Sequence, residues 1–118
     1  MQMESDKEVT PAMTYNSRLK DEATDRLFES ILLLENEEEC YRFFEDICTV
    51  GEIKDMAQRL EVAKMLAREQ IYTDIVEKTG ASTATISRVK RSLYFGADGY
   101  RLILNRLQEK GQNEKGKK

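Results

Sequence analysis

Histidine and tryptophan are absent from this chain of 118 residues, and proline occurs once, at Pro11. Without histidine the chain lacks the side chain best suited to acid–base work near neutral pH. No glycine-rich phosphate loop and no nucleophile elbow stands in for it, so an enzyme is not expected. Cysteine is sparse too: Cys40 and Cys48 are the only two. Two thiols without histidine do not complete a structural metal set, so no metal or other cofactor is expected. In a reducing compartment the pair reads as small buried apolar groups. No apolar run approaches the roughly 20 residues that span a bilayer. The N-terminal segment also lacks the apolar stretch of a secretion signal, which points to a cytoplasmic protein away from membranes.

What remains is 40% apolar and 35% charged, a composition that fits a helix-rich domain. The formal net charge of −3 conceals an asymmetry. Residues 1–70 hold 17 acids and 9 bases, whereas residues 71–118 hold 5 acids and 10 bases. A basic half is drawn to phosphates while an acidic half is held away. The lysines at the extreme C-terminus do not account for this. Between residues 71 and 108 six bases still face three acids.

The stretch from Tyr72 to Leu93 reads as a short helix, a glycine turn and a second helix. Gly80 can adopt a positive φ and stop the first helix at little steric cost. Ser82 is placed to cap the second, its hydroxyl accepting from an amide one turn on. Ile75 and Val76 before the turn, and Ile86, Val89 and Leu93 after it, fall where two crossed helices touch. Thr83, Thr85, Ser87, Arg88, Lys90 and Arg91 are left facing outward. Small hydroxyls and cations are what a helix needs to lie in a DNA major groove. A plain helical hairpin needs the same apolar pattern but not that polar face. The segment is therefore expected to be a DNA-binding helix-turn-helix.

Six helices are expected in all, an all-α fold. The first runs from about Lys20 to Leu34, with Leu27, Ile31 and Leu34 on one face and Phe28 and Leu32 widening it. The second, capped by Asn36, carries Cys40, Phe43, Phe44 and Ile47. The third opens at Thr49 or Val50, runs to about Arg68, and shows Ile53, Met56, Leu60, Ala63 and Ala67. The helix-turn-helix supplies two more. The sixth starts near Ala97, with Tyr100, Ile103, Leu104 and Leu107 spaced as one face. Residues 1–17 lack periodicity and are expected to be disordered. Residues 18–109 form the helical domain, and 110–118 a polar basic tail. The first two helices carry more apolar surface than so small a monomer buries, so a homodimer is expected.

Several motifs resemble a known family. Gly80-Ala81-Ser82-Thr83-Ala84-Thr85-Ile86-Ser87-Arg88 is similar to the turn and reading-helix start of the bacterial tryptophan repressor family. Cys40-Tyr41-Arg42-Phe43-Phe44 and Ala57-Gln58-Arg59-Leu60-Glu61-Val62-Ala63 resemble its uncharacterised YerC/YecD-type branch more closely. The resemblance covers roughly residues 20 to 108. It implies a six-helix, intertwined homodimer that regulates transcription. It also implies that Ser82, Thr83, Ala84 and Ser87 approach bases, often through water, and that Tyr72 and Thr73 lie near phosphates. In that family the corepressor tryptophan stacks between two arginines. Arg88 matches one of them and Arg59 the other, after a one-residue gap, while Thr85 and Ser92 match further pocket positions. One departure bears on the ligand. Where the family has a glycine that leaves room for the indole, this chain has Val89. Tryptophan is therefore not the expected ligand, and another small effector or none fits better.

The reading that follows is a non-enzymatic, homodimeric transcription regulator that binds duplex DNA. Tyr72, Thr73, Ser82, Thr83, Ala84, Ser87, Arg88, Lys90 and Arg91 are its expected contacts. A helical protein-interaction adaptor, or a small-molecule sensor on the same fold, are the alternatives.

Overall fold

Four helix starts in the described chain coincide with a side chain that caps them. The computed structural model describes residues 14–116. The Asp21 carboxylate accepts a 2.7 Å bond from the Thr24 amide and opens α1, Glu22–Leu32. That amide holds the Asp21 carboxyl below the usual carboxylate range. At the other end Leu33 and Leu34 donate three residues back, to Ser30 and Ile31, which tightens the last turn. The helix is thus shorter at both ends than the apolar spacing suggested. Asn36 Oδ1 accepts from the Glu39 amide at 2.9 Å and caps α2, Glu37–Ile47. Three glutamates in its first turn favour the positive end of the helix dipole.

Thr49 opens α3, Val50–Ala67, with a capping box: Thr49 Oγ1 accepts from the Glu52 amide, and Glu52 Oε1 accepts from the Thr49 amide. Gln70 donates to the Met65 carbonyl at 3.1 Å, which closes the C-terminus of α3. Then follow α4, Tyr72–Thr79, α5, Thr83–Phe95, and α6, Gly99–Gly116. All the regular structure among the described residues is helical. The last helix begins two residues later than expected and runs through Gly116, past Lys110, where the polar tail was placed. Most of the expected disordered segment, residues 1–13, lies outside the described residues, as do residues 117 and 118.

The contacts divide the chain into two units, one ending at Phe43 and the other starting at Phe44. In the first, Leu27, Ile31 and Leu34 are half-buried, while Phe28, Leu32 and Leu33 are exposed. The second unit holds the core, built from Val62, Ala63, Met65 and Leu66 of α3, Ile75 of α4, Ala81 of the turn, and Ile86, Val89 and Leu93 of α5. Tyr72 and, from α6, Tyr100 and Leu104 pack against it. Arg101 fastens α6 to α5 by donating from Nε to the Leu93 carbonyl at 3.0 Å, with its guanidinium 5.1 Å from the Tyr94 ring centre.

Several apolar positions differ from expectation. On α3 the buried face is Val62, Ala63, Met65 and Leu66, whereas Met56 and Ala67 are exposed and Ile53 and Leu60 half-buried. Apolar residues occur all round this helix, so spacing alone could not select the face. Val76 lies outside the core, and on α6 Ile103 and Leu107 are exposed. The thiols are not buried either: Cys40 is exposed and Cys48 half-buried. Each follows a glutamate-rich or helix-end stretch that the core does not cover.

Candidate nucleic-acid interface

The turn between α4 and α5 is built from three residues with separate tasks. Gly80 adopts φ 74° and donates to the Val76 carbonyl at 2.8 Å, ending α4 in the left-handed region where glycine is at ease. Ala81 is buried and anchors the turn to the core. Ser82 caps α5, its Oγ accepting from the Thr85 amide at 3.1 Å. Both the stop and the start thus sit where the residue chemistry indicated.

The orientation of α5 follows from which side is buried. Ile86, Val89 and Leu93 point into the core. Ala84, Ser87 and Arg91, spaced three and four apart, form the opposite stripe. Thr83 and Lys90 lie on one shoulder of it and Arg88 on the other, and all six are exposed. The stripe is narrow and small near the helix start, then basic further along. Among the described residues none of Arg88, Lys90 and Arg91 enters an ion pair. Their charge is therefore free to act on an external anion.

Two parts of the expected surface are joined directly. Lys90 Nζ stands 5.7 Å from the centre of the Tyr72 ring, so the start of α4 and the middle of α5 share one patch. Thr73, beside Tyr72, is exposed. The cap residue of α4, Ile71, offers no side-chain hydrogen bond, so the amides of its first turn have no side-chain cap. Ser82 is more engaged than its exposure suggests. Besides its cap bond, its hydroxyl lies 3.1 Å from Thr85 Oγ1. These two hydroxyls serve each other first.

The four residues expected to line an effector pocket are placed less coherently. Arg59 and Thr85 are half-buried, while Arg88 and Ser92 are exposed. Val89 is buried in the core, as its spacing with Ile86 and Leu93 requires. Two open clefts in this unit are lined by other residues. One, of about 620 Å³, lies between α3 and the end of α4 and is lined by Gln58, Glu61, Lys64, Arg68 and Lys78 among others. A second, of about 840 Å³, lies between α3, α5 and α6, with Arg68, Tyr94, Arg101 and Leu104 on its wall.

Gln58 stands outside the expected site residues. Its Nε2 donates to the Thr79 carbonyl at 3.0 Å, a half-buried bond between α3 and the end of α4. A signal was available: Gln58, Val62, Met65 and Leu66 share one face, so a polar residue stands on the buried stripe and needs a partner. Among the described residues no cluster of three metal-ligating side chains occurs, and no helix is long and apolar enough to cross a membrane.

Known proteins share both sequence and fold. Residues 22–108 match the family model described as Trp repressor protein. A Bacillus subtilis (strain 168) protein described as uncharacterized protein YerC is 55% identical over 92 residues, which span 78% of this chain and 88% of that protein. A crystal structure of a candidate Trp repressor from Staphylococcus aureus is 56% identical, with a TM-score of 0.75 over 77% of this chain and 91% of its own. A TrpR-like protein from Eubacterium eligens ATCC 27750 is also 56% identical, with a TM-score of 0.76 over 79% of this chain and 96% of its own. With a family model spanning most of its length and relatives alike in sequence and in fold, the chain belongs to the Trp repressor family.

Proposed function

We propose that this protein is a non-enzymatic, cytoplasmic transcription regulator that binds duplex DNA as a homodimer through α4 and α5. The observation that carries this reading is the exposed face of α5, where a stripe of small residues passes into three cations without ion-pair partners. Thr83, Ala84 and Ser87 approach base edges, with Ser82 close by. Arg88, Lys90 and Arg91, with Tyr72 and Thr73, engage phosphates. Because the helix start carries no arginine, readout proceeds through hydroxyls and bridging water rather than many paired arginine–guanine bonds.

The dimer is supported by uncovered apolar surface. Leu32 is 83% exposed, Leu33 77% and Phe95 87%. None of the residues of α1 or α2 is buried. A second copy is the simplest cover for residues of that kind. Two-fold symmetry would set the two copies of α5 about 34 Å apart, one turn of B-DNA, so the operator would be palindromic.

Capture of sheared genomic DNA by the purified protein, followed by sequencing, tests the reading. The expected result is a small set of fragments sharing an inverted repeat, with binding that weakens steeply as salt rises. Affinity indifferent to salt, or no enrichment at all, would favour a helical adaptor. Binding of amino acids or nucleotides without DNA would favour a sensor.

A further inference from the structure

The shortest helix among the described residues, α4, leads through the Gly80 turn directly into α5. α4 has only 8 residues, and Ile75 is its one buried side chain. A helix so short does not hold its place by itself; it depends on what it is tied to. Its N-terminus has no side-chain cap. Its C-terminus is where the ties converge, on Thr79.

Three bonds meet at that residue. Thr79 Oγ1 donates to the Ile75 carbonyl at 2.7 Å and accepts from the Ala81 amide at 3.1 Å. The Thr79 carbonyl, one of the end carbonyls without a helical donor, accepts from Gln58 Nε2 at 3.0 Å. The first two bonds lie within α4 and its turn. The third crosses to α3, 21 residues earlier in sequence, and is half-buried. Gln58 stands one turn before the fully buried Val62 and so sits on the most rigidly packed face of α3. We propose that Gln58 is a positioning residue for DNA binding: its amide latches the turn between α4 and α5 to α3 and so sets the angle at which α5 is displayed.

The chemistry required is a donor at that reach. A carboxylate has the same shape but places a charged acceptor against a carbonyl. An arginine carries an N–H the same number of bonds from Cα. The latch rests on the proposed DNA-binding role only for its purpose. Its existence is a property of the free protein and is read without DNA.

The test is residue-resolved hydrogen exchange on the full chain as wild type, Gln58→Glu, Gln58→Leu and Gln58→Arg, with duplex affinity measured alongside. Gly80, Ala81 and Thr85 amides should exchange about fivefold faster in Gln58→Glu and Gln58→Leu, the value of one ordinary hydrogen bond. Exchange at Val62 and Leu66 should change far less. Gln58→Arg should recover most of the protection. Duplex affinity should fall and recover in the same order. Uniform acceleration through α3 as well as the turn would show general loosening and overturn the latch, as would unchanged exchange in Gln58→Glu. If the exchange pattern appears but wild type ignores DNA, the latch stands and the proposed DNA-binding function falls.

Discussion

Removing Lys90 and Arg91 together should flatten the salt dependence of duplex binding without unfolding the protein. Both side chains are exposed on α5, outside the core and outside every ion pair among the described residues. The ring contact at stake among the described residues is that of Lys90 with Tyr72, at 5.7 Å. Losing it costs about 0.5–1 kcal/mol, a melting shift of a few degrees. A dimer carries two copies of each cation, so four charges leave the interface. If each neutralises one phosphate, the slope of log affinity against log salt falls by about 3 to 4 units. Between about 50 and 200 mM salt, wild type should then lose roughly a hundredfold more affinity than the double alanine variant. Fluorescence anisotropy with a labelled fragment from the genomic capture, run across a salt series, reads both slopes. The weakening should appear on every sequence tested, because phosphate contacts carry no base information. A variant with the wild-type slope would refute the docking of α5, and a loss confined to one sequence would move these cations from phosphates to bases.

Three further outcomes are expected. Gly80→Ala should cost about 1–2 kcal/mol in urea denaturation, since a Cβ there meets nothing within 4 Å and the penalty comes from φ 74° alone; a neutral result would contradict that backbone conformation. The cap bond from Thr24 lowers the Asp21 pKa in the folded chain, so this cap stabilises α1 above the unfolded carboxylate range and is lost as pH falls through the lowered folded value. Thr24 amide protection should therefore fade only in acid, and Asp21→Ala should abolish that pH response. Leu32→Asp with Leu33→Asp should convert a dimer into a monomer in analytical ultracentrifugation, because both side chains are exposed in the single chain; an unchanged mass would exclude this surface from the dimer contact.

The local chemistry of the sequence decides much of this molecule. Asn36, Thr49 and Ser82 cap their helices because a short oxygen side chain at each of those points can reach an unpaired amide. Gly80 ends α4 because only glycine takes a left-handed φ without strain. The face of α5 was legible because Ile86, Val89 and Leu93 are the only large apolar residues of the helix before Tyr94, so one buried side dictates one exposed side.

Tertiary packing decides the rest. Apolar residues occur all round α3, and contact with α4, α5 and α6 selects Val62, Ala63, Met65 and Leu66 over Met56 and Ala67. The same holds for α6, where Tyr100 and Leu104 meet the core while Ile103 and Leu107 do not. Periodicity names a stripe, but which part of it is covered depends on where the neighbouring helix crosses. Gln58 is the clearest case: its pairing with the Thr79 carbonyl joins residues 21 apart and depends on the approach of two helix ends. Side-chain patterns along one segment set that segment's form, whereas a bond between distant segments exists only once the fold has brought them together.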